Sequence, residues 1–103
     1  MTKIHDVKIT VLKRFKPSDV FKKSPATFLE PTEECTIFND GQEFICENTR
    51  MPNDFCNSAW HSIYPYVRIL AFGGDPPWYK EKGIIINSCV DGLRPVIFKL
   101  ERM

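Results

Sequence analysis

The sequence predicts an α+β fold: a small, mainly antiparallel sheet with one principal helix packed on one face. Stretches near both ends of the chain alternate apolar and polar residues with the period of a β-strand. Between them, residues 54–72 place apolar side chains at the spacing of one helix face. At 103 residues, without an internal repeat, the chain is expected to form a single domain over residues 1–103.

The first half of the chain is predicted to contain a strand, a helical turn and a hairpin. Residues 6–14 alternate cleanly, as in a half-buried strand, and Pro17 can open a short helical turn after it. Residues 39–41, Asn-Asp-Gly, have turn chemistry. We expect them to join residues 36–38 to residues 43–46 in a short hairpin.

The principal helix is predicted over residues 54–72. Asn53 or Asp54 suits its N-terminal cap, and Gly73 suits the left-handed residue that follows a helix. Pro65 interrupts the pattern, because proline lacks the backbone N–H and clashes with the preceding turn. We therefore expect Pro65 to kink the helix or divide it in two.

The last third of the chain is predicted to form a C-terminal β-hairpin. Residues 83–89 are rich in β-branched side chains, as in a strand covered on both faces. Residues 91–92, Asp-Gly, lie in the connection, and residues 96–101 alternate again. We expect the N-terminal and C-terminal strands to be neighbours in the sheet.

The charge pattern argues against a nucleic-acid partner. The net charge is +1, which gives no global attraction to nucleic acid. Residues 1–23 carry seven Lys and Arg, whereas residues 29–54 carry seven Asp and Glu. We interpret this asymmetry as a basic strand close to an acidic loop, or as complementary oligomer surfaces. No glycine-rich phosphate loop, GxSxG, HExxH or EF-hand sequence occurs, so the functions that those motifs define are not expected.

The sequence also predicts a compartment and an oligomeric state. No apolar run approaches the roughly 20 residues of a membrane span, and the N-terminus lacks the apolar region of an export signal. We therefore expect a cytoplasmic protein without a membrane partner, whose cysteines stay reduced. A small sheet with exposed edges gains from pairing, so a homo-oligomer is expected.

The cysteines carry the leading functional hypothesis. Cys35, Cys56 and Cys89 each lie at a predicted turn or helix start, where distant parts of a chain can converge. Thiolates are the preferred ligands of zinc and of iron–sulfur clusters, so the three predict a metal or cluster site. The fourth position is left open to Cys46, Asp91 or water. No pair has the CxxC spacing.

Two other interpretations remain open. The cysteines can be core residues of a non-catalytic module that binds a partner or a small molecule, because free cysteine is often buried. Trp60, Trp78, Asp91 and Arg94 would then form the ligand surface. Alternatively, Cys56 is the nucleophile of a thiol enzyme or redox protein, since the first turn of a helix favours a thiolate.

Four segments resemble a family of small bacterial and archaeal proteins of about this length, common in anaerobes. Its members end in a Cys-x-Asp-Gly-x-Arg-Pro-Val-Phe-type strand, which the sequence CVDGLRPVIFKLER matches from Cys89 onward. The resemblance spans nearly all of residues 7–103 and implies a motif with three cysteines, but no activity. Here Thr36 stands where many members have proline, and Pro65 is also a departure. The other matching segments are residues 34–44, 55–60 and 72–75, and the implied cysteines are Cys35, Cys56 and Cys89.

Overall fold

The computed structural model describes residues 3–103, and in them four strands form one antiparallel sheet in the order β2-β1-β4-β3. This arrangement confirms the α+β fold, the C-terminal hairpin and the pairing of the terminal strands. The elements are β1 (Val7–Arg14), α1 (Pro17–Val20), β2 (Glu43–Cys46), α2 (Asn57–Ala71), β3 (Ile84–Ser88) and β4 (Val96–Arg102).

The core lies between α2 and one face of the sheet. Side chains on a strand point to alternate faces, so the alternation in β1 and β4 buries one set of residues against the helix. The opposite face carries ion pairs such as Lys8–Glu43 and Lys8–Glu101, both at 3.7 Å. The fully buried strand residues are Val7, Ile9, Val11, Val96, Phe98 and Leu100, and they meet Ala59, Ile63, Val67 and Leu70 of α2.

Helix α2 begins later than the sequence predicts and is not divided by Pro65. Its first residue is Asn57 and its N-cap is Cys56, while Asp54 adopts a positive φ of 64° in the preceding turn. The helix continues past Pro65 to Ala71, so the expected division in two is wrong. The buried stripe holds the helix on the sheet along its whole length.

The C-terminus of α2 follows the predicted glycine signal. Gly73 adopts a φ of 89°, a conformation that glycine reaches without a Cβ clash. The amide of Gly73 then donates to the Leu70 carbonyl at 3.0 Å, and the amide of Gly74 to the Ile69 carbonyl at 2.8 Å. These two bonds satisfy carbonyls that the end of a helix leaves free.

The predicted hairpin between residues 36–38 and 43–46 is wrong. Residues 36–38 form no strand, and β2 pairs with β1 instead. The reason is that Phe38 turns into the core, where it is 1% exposed. The turn at residues 39–41 does form, but the amide of Gly41 donates to the Val11 carbonyl of β1 at 2.7 Å.

Strand β3 is not covered on both faces, contrary to the expectation from its β-branched run. It lies at the edge of the sheet, and α2 covers only the face that carries Ile85. Ile86 points the other way and is 42% exposed. β2 forms the opposite edge, and pairing of copies through either edge stays a prediction.

The basic N-terminal segment contacts the acidic segment that follows it. Arg14 on β1 binds Asp40 at 3.0 Å, and Lys16 lies 3.8 Å from Glu33 in the following acidic segment. The first of the two charge interpretations, a basic strand close to an acidic loop, therefore describes the fold. Across residues 3–103, no helix is both long and apolar enough to cross a membrane.

Arg102 connects the last strand to the end of the helix. Its Nη1 donates to the carbonyl of Gly74 at 2.8 Å and to that of Leu70 at 3.3 Å. Its Nη2 binds the two carboxylate oxygens of Asp75 at 3.1 and 3.2 Å. One guanidinium group thus satisfies helix-terminal carbonyls and fixes the loop that leaves α2.

We expect Arg102→Ala to lower the free energy of unfolding by about 2–3 kcal/mol, because it removes a charge-assisted network and leaves Asp75 without its cation. Urea denaturation followed by circular dichroism measures the change. Lys99→Ala is the matched control, since within residues 3–103 the only ion pair of Lys99 is a surface contact with Glu101 at 3.6 Å on the same strand. Equal losses in the two variants would contradict the proposed role of Arg102.

The same network predicts a pH dependence. The Gly83 amide, followed by Arg102, holds the pKa of Asp75 below its ordinary value of 3.8, despite an opposing effect of burial. Because the pKa of Asp75 is lower in the folded protein than in the unfolded chain, the ionised carboxylate stabilises the fold above pH 3.8. This stabilisation is lost as the pH falls toward the pKa of the folded state. Asp75→Asn is therefore expected to flatten the acid limb of a plot of stability against pH. An unchanged acid limb would contradict this role for Asp75.

Candidate functional site

The three predicted cysteines line one cavity of about 240 Å³. It lies where β3 ends and β4 begins, beside the start of α2. Cys35 comes from the long loop after α1, Cys56 from the N-cap of α2, and Cys89 from the β3–β4 connection. All three are half-buried free thiols. Segments far apart in the sequence therefore bring their sulfur-bearing side chains to the same place.

Cys89 is fixed by the closing pair of the hairpin. Its amide donates to the Val96 carbonyl at 3.0 Å. Its Sγ accepts a hydrogen bond from the Val96 amide at 3.3 Å. A backbone N–H directed at sulfur stabilises negative charge there, as hydrogen bonds to the sulfurs of iron–sulfur sites do.

Asp91 and Arg94 organise the connection that carries Cys89. The Asp91 carboxylate accepts the amides of Leu93 at 2.9 Å and Arg94 at 3.0 Å, and it binds Arg94 Nε at 3.0 Å. Partial burial acts to raise the pKa of Asp91, but these hydrogen bonds outweigh it and hold the pKa below its ordinary value. The Arg94 guanidinium also stacks over Phe28, 4.8 Å from the ring centroid. Arg94 is thereby held beside the thiols.

We expect Asp91→Ala to lower the free energy of unfolding by about 1–2 kcal/mol, because two backbone amides and Arg94 lose their acceptor. Chemical denaturation measures the loss. Val90→Ala, at a 65% exposed neighbouring position, is the control and should change stability little. A loss in Asp91→Ala no larger than in this control would show that the turn does not depend on the carboxylate.

Cys56 is at the N-terminus of α2. Its carbonyl accepts the Trp60 amide at 2.9 Å, the first bond of the helix, but its side chain makes no capping bond. The next residues, Ser58 and Ala59, also line the cavity. The free N–H groups of a first helical turn carry partial positive charge, so this end of the cavity favours negative charge.

Cys35 is positioned by Arg14, a residue that the sequence pattern did not single out. Nη1 of Arg14 donates to the carbonyl of Cys35 at 2.8 Å and to that of Phe38 at 3.0 Å. The same guanidinium binds Asp40. The sequence does show a cation at the end of a strand followed by an acidic loop. It cannot show the contact with Cys35, because Arg14 binds the backbone carbonyl of Cys35, and every residue type has one.

Phe38 connects the cavity to the core. Besides lining the cavity, its ring lies 5.8 Å from Phe44, 5.0 Å from Phe55 and 5.3 Å from Phe98, centroid to centroid. Such tilted and edge-to-face pairs are the favoured arrangements of aromatic rings. The cysteine cavity therefore rests on a packed aromatic cluster.

Cys46, a candidate fourth ligand, does not line this cavity. It is buried at the end of β2, where its Sγ donates to the Arg50 carbonyl at 3.0 Å. Burial, aided by the nearby Asp6, raises the pKa of the Cys46 thiol to about 11. Cys46 is therefore a core residue, as free cysteines often are.

The predicted ligand surface divides between two places. Asp91 and Arg94 line the cysteine cavity, whereas Trp78 lines a different cavity. Trp60 lies in neither lining. It packs against Phe55 and Tyr64, with ring centroids 6.1 and 5.3 Å away. Trp60, Trp78 and Arg94 therefore share no cavity lining, and their role as one ligand surface stays a prediction.

Cys35, Cys56 and Cys89 line the same cavity, but their side chains do not form a set of metal ligands. Within residues 3–103, no group of three or more His, Cys, Asp and Glu side chains has an arrangement that could hold a metal ion. No known family model, curated protein or solved structure matches the chain. The resemblance to the three-cysteine family therefore stays a prediction.

Proposed function

We propose that Cys35, Cys56 and Cys89 bind a thiophilic metal centre, either zinc or an iron–sulfur cluster. The observation that carries this proposal is the shared cavity: three cysteines from distant segments line it, while Cys46 remains in the core. The three come from the loop after α1, the start of α2 and the β3–β4 connection, so the fold and not the local sequence brings them to one lining.

Groups around the cavity can offset part of the negative charge of a bound thiolate centre. Three thiolates carry one more negative charge than Zn²⁺ carries positive, so a bound zinc ion leaves an anionic centre. The first turn of α2 offsets part of that charge, whereas the charge of Arg94 is already balanced by Asp91, which also lines the cavity. The Val96 amide, which donates to Cys89 Sγ, acts in the same direction.

Binding requires a local rearrangement. Because the three thiols do not form a ligand set in this structure, their side chains would have to rotate toward a common point. Cys35 lies in a loop outside the helices and strands and would make the larger movement, because the Val96 amide holds Cys89 Sγ in place. The fourth position would be taken by water or another small ligand, an arrangement typical of metal sites that keep an open position.

Elemental analysis and a visible spectrum of protein purified without air test the proposal. We expect about one zinc per chain, or iron and sulfide with a broad absorption in the visible range. Cys46→Ala, measured in its folded state, is expected to retain the same content. A folded, colourless wild-type protein that contains no metal and takes up neither zinc nor a reconstituted cluster would contradict the proposal.

A second candidate function is thiol chemistry at Cys56. It is favoured by one specific observation. Cys56 is the N-cap residue of a 15-residue helix, its thiol makes no capping hydrogen bond, and the residue lines a cavity. The two candidates differ in what Cys35 and Cys89 do. Metal binding requires all three cysteines, whereas a Cys56 nucleophile predicts that alkylation of Cys56 stays rapid in Cys35→Ser and Cys89→Ser and is not slowed by zinc.

A further inference from the structure

The sheet edge that β3 forms is closed by side chains of the same chain. The register with β4 directs the backbone groups of Ile86 and Ser88 to the free side. There the Ile86 amide donates to the Tyr79 hydroxyl at 3.4 Å. The Ser88 amide donates to Asn87 Oδ1 at 2.8 Å, and the Ser88 carbonyl accepts the Ser62 hydroxyl at 2.6 Å. Another strand would have to displace these bonds, so this edge is protected against pairing.

The opposite edge, formed by β2, is open. The Val11 amide donates to the Gln42 carbonyl at 2.8 Å, so the even-numbered residues at this edge bond to β1. The amides and carbonyls of Glu43 and Ile45 therefore point to the free side, where no backbone group of residues 3–103 bonds to them. Both residues are exposed. A row of unpaired backbone groups of this kind is a template for another strand.

A second copy of the chain fits this edge in one symmetric register. In a two-fold symmetric dimer, the residue at the axis stands opposite its own copy. An axis beside Glu43 would set that carboxylate against itself, and an axis beside Ile45 would set Glu43 against Glu47; like charges directly opposite destabilise a sheet. The Glu47 carbonyl is also already bound by the Arg50 amide at 3.0 Å. An axis beside Phe44 brings no carboxylates together.

The register centred on Phe44 also places favourable groups opposite each other. Glu43 of each copy exchanges both backbone hydrogen bonds with Ile45 of the other. The two Phe44 residues then form a pair without mutual hydrogen bonds, in which cross-strand side chains come closest, and aromatic pairs there stabilise a sheet. Phe44 is only half-buried by its contacts with Phe38 and Phe55, so part of its ring is free for this contact.

We propose that two copies of the chain form a two-fold symmetric dimer through β2, with Phe44 at the axis. The two sheets then become one continuous antiparallel sheet, and the protected β3 strands form its two outer edges. The proposal is independent of the metal site, because no residue of β2 lines the cysteine cavity.

Sedimentation equilibrium of the full chain over a wide range of concentrations tests the dimer. We expect a monomer–dimer equilibrium for the wild-type protein. Ile45→Pro removes an amide that points away from β1, so it leaves the β1–β2 ladder intact and is expected to weaken the dimer by about 30-fold, equivalent to about one hydrogen bond lost from each copy. Ile86→Pro is the matched control on β3, since both isoleucines are 42% exposed, and it should leave the dimer unchanged. Circular dichroism confirms that each variant is folded.

Ile45→Lys and Ile45→Glu test the register. In the Phe44-centred dimer, residue 45 stands opposite Glu43 of the other copy, so we expect the lysine variant to dimerise about tenfold more tightly than the glutamate variant. Within one copy, residue 45 lies opposite Lys8, where glutamate is the better residue for the fold. A general loss of stability would therefore give the opposite order.

A wild-type protein that stays monomeric at every concentration would overturn the proposal and leave the edge to a strand of another protein. A dimer that Ile45→Pro does not weaken, or that Ile86→Pro weakens equally, would also overturn it. Equal dimer affinities of Ile45→Lys and Ile45→Glu would exclude the Phe44-centred register.

Discussion

Phe38→Ala is expected to lower the free energy of unfolding by about 3–5 kcal/mol, because it removes a fully buried aromatic ring from the centre of a packed cluster. The ring is 1% exposed and contacts three other phenylalanines. It also lines the cysteine cavity, so its loss opens the base of the candidate metal site. Urea denaturation followed by circular dichroism and tryptophan fluorescence measures the loss.

Two further variants make this result specific. Ile37→Ala changes the adjacent residue, which is 56% exposed, and is expected to cost no more than about 0.5 kcal/mol. Phe38→Leu keeps most of the buried apolar volume and should fall between the two. A loss below about 1 kcal/mol in Phe38→Ala would mean that the ring does not support the core as described, since it lies far below the range for buried aromatic residues.

Cys56→Ser is expected to show the largest functional effect. Removing one of three thiolate ligands should weaken zinc binding more than 100-fold, beyond the 10–100-fold typical of partners that only support a ligand. The affinity is measured by competition with a chromophoric zinc chelator under reducing conditions. Cys35→Ser and Cys89→Ser are expected to lose affinity to a similar extent, because each would supply one ligand to the same centre.

Cys46→Ala is the matched control for this series. Cys46 lies in the core and not in the cavity, so the variant is expected to lose some stability and no zinc affinity. Serine variants that bind zinc as tightly as the wild-type protein would contradict the three-cysteine centre. A loss confined to Cys56→Ser would exclude a site that uses all three thiols.

The fold could be predicted to the extent that its residues follow local rules. The alternation in β1 and β4 and the apolar stripe of α2 reflect which face each element buries, and that information lies within a few consecutive residues. Residues 36–38 were misassigned because Phe38 is held by tertiary contacts, which override a β-prone local sequence. Pro65 did not divide α2, because the helix is stabilised by its buried stripe on both sides of the proline.

The candidate site could be predicted in part. Turn positions indicated that Cys35, Cys56 and Cys89 could converge, and the three do line one cavity, because these turns lie at ends of elements that meet; their role as ligands stays a prediction. Arg14 could not be found in this way, since it binds backbone carbonyls that every residue type carries. Trp60 packs against Phe55 whereas Trp78 lines another cavity, and this difference is set by tertiary packing that no residue pattern specifies.

Site-resolved alkylation tests the central claim most directly. The reduced native protein is treated with iodoacetamide with and without one equivalent of zinc, and each cysteine is quantified by mass spectrometry. We predict that zinc protects Cys35, Cys56 and Cys89 together and that a chelator restores their labelling. Cys46, whose burial raises its pKa to about 11, should resist labelling until the protein unfolds. If the three cavity cysteines label at the same rates with and without zinc, the proposed metal centre is contradicted.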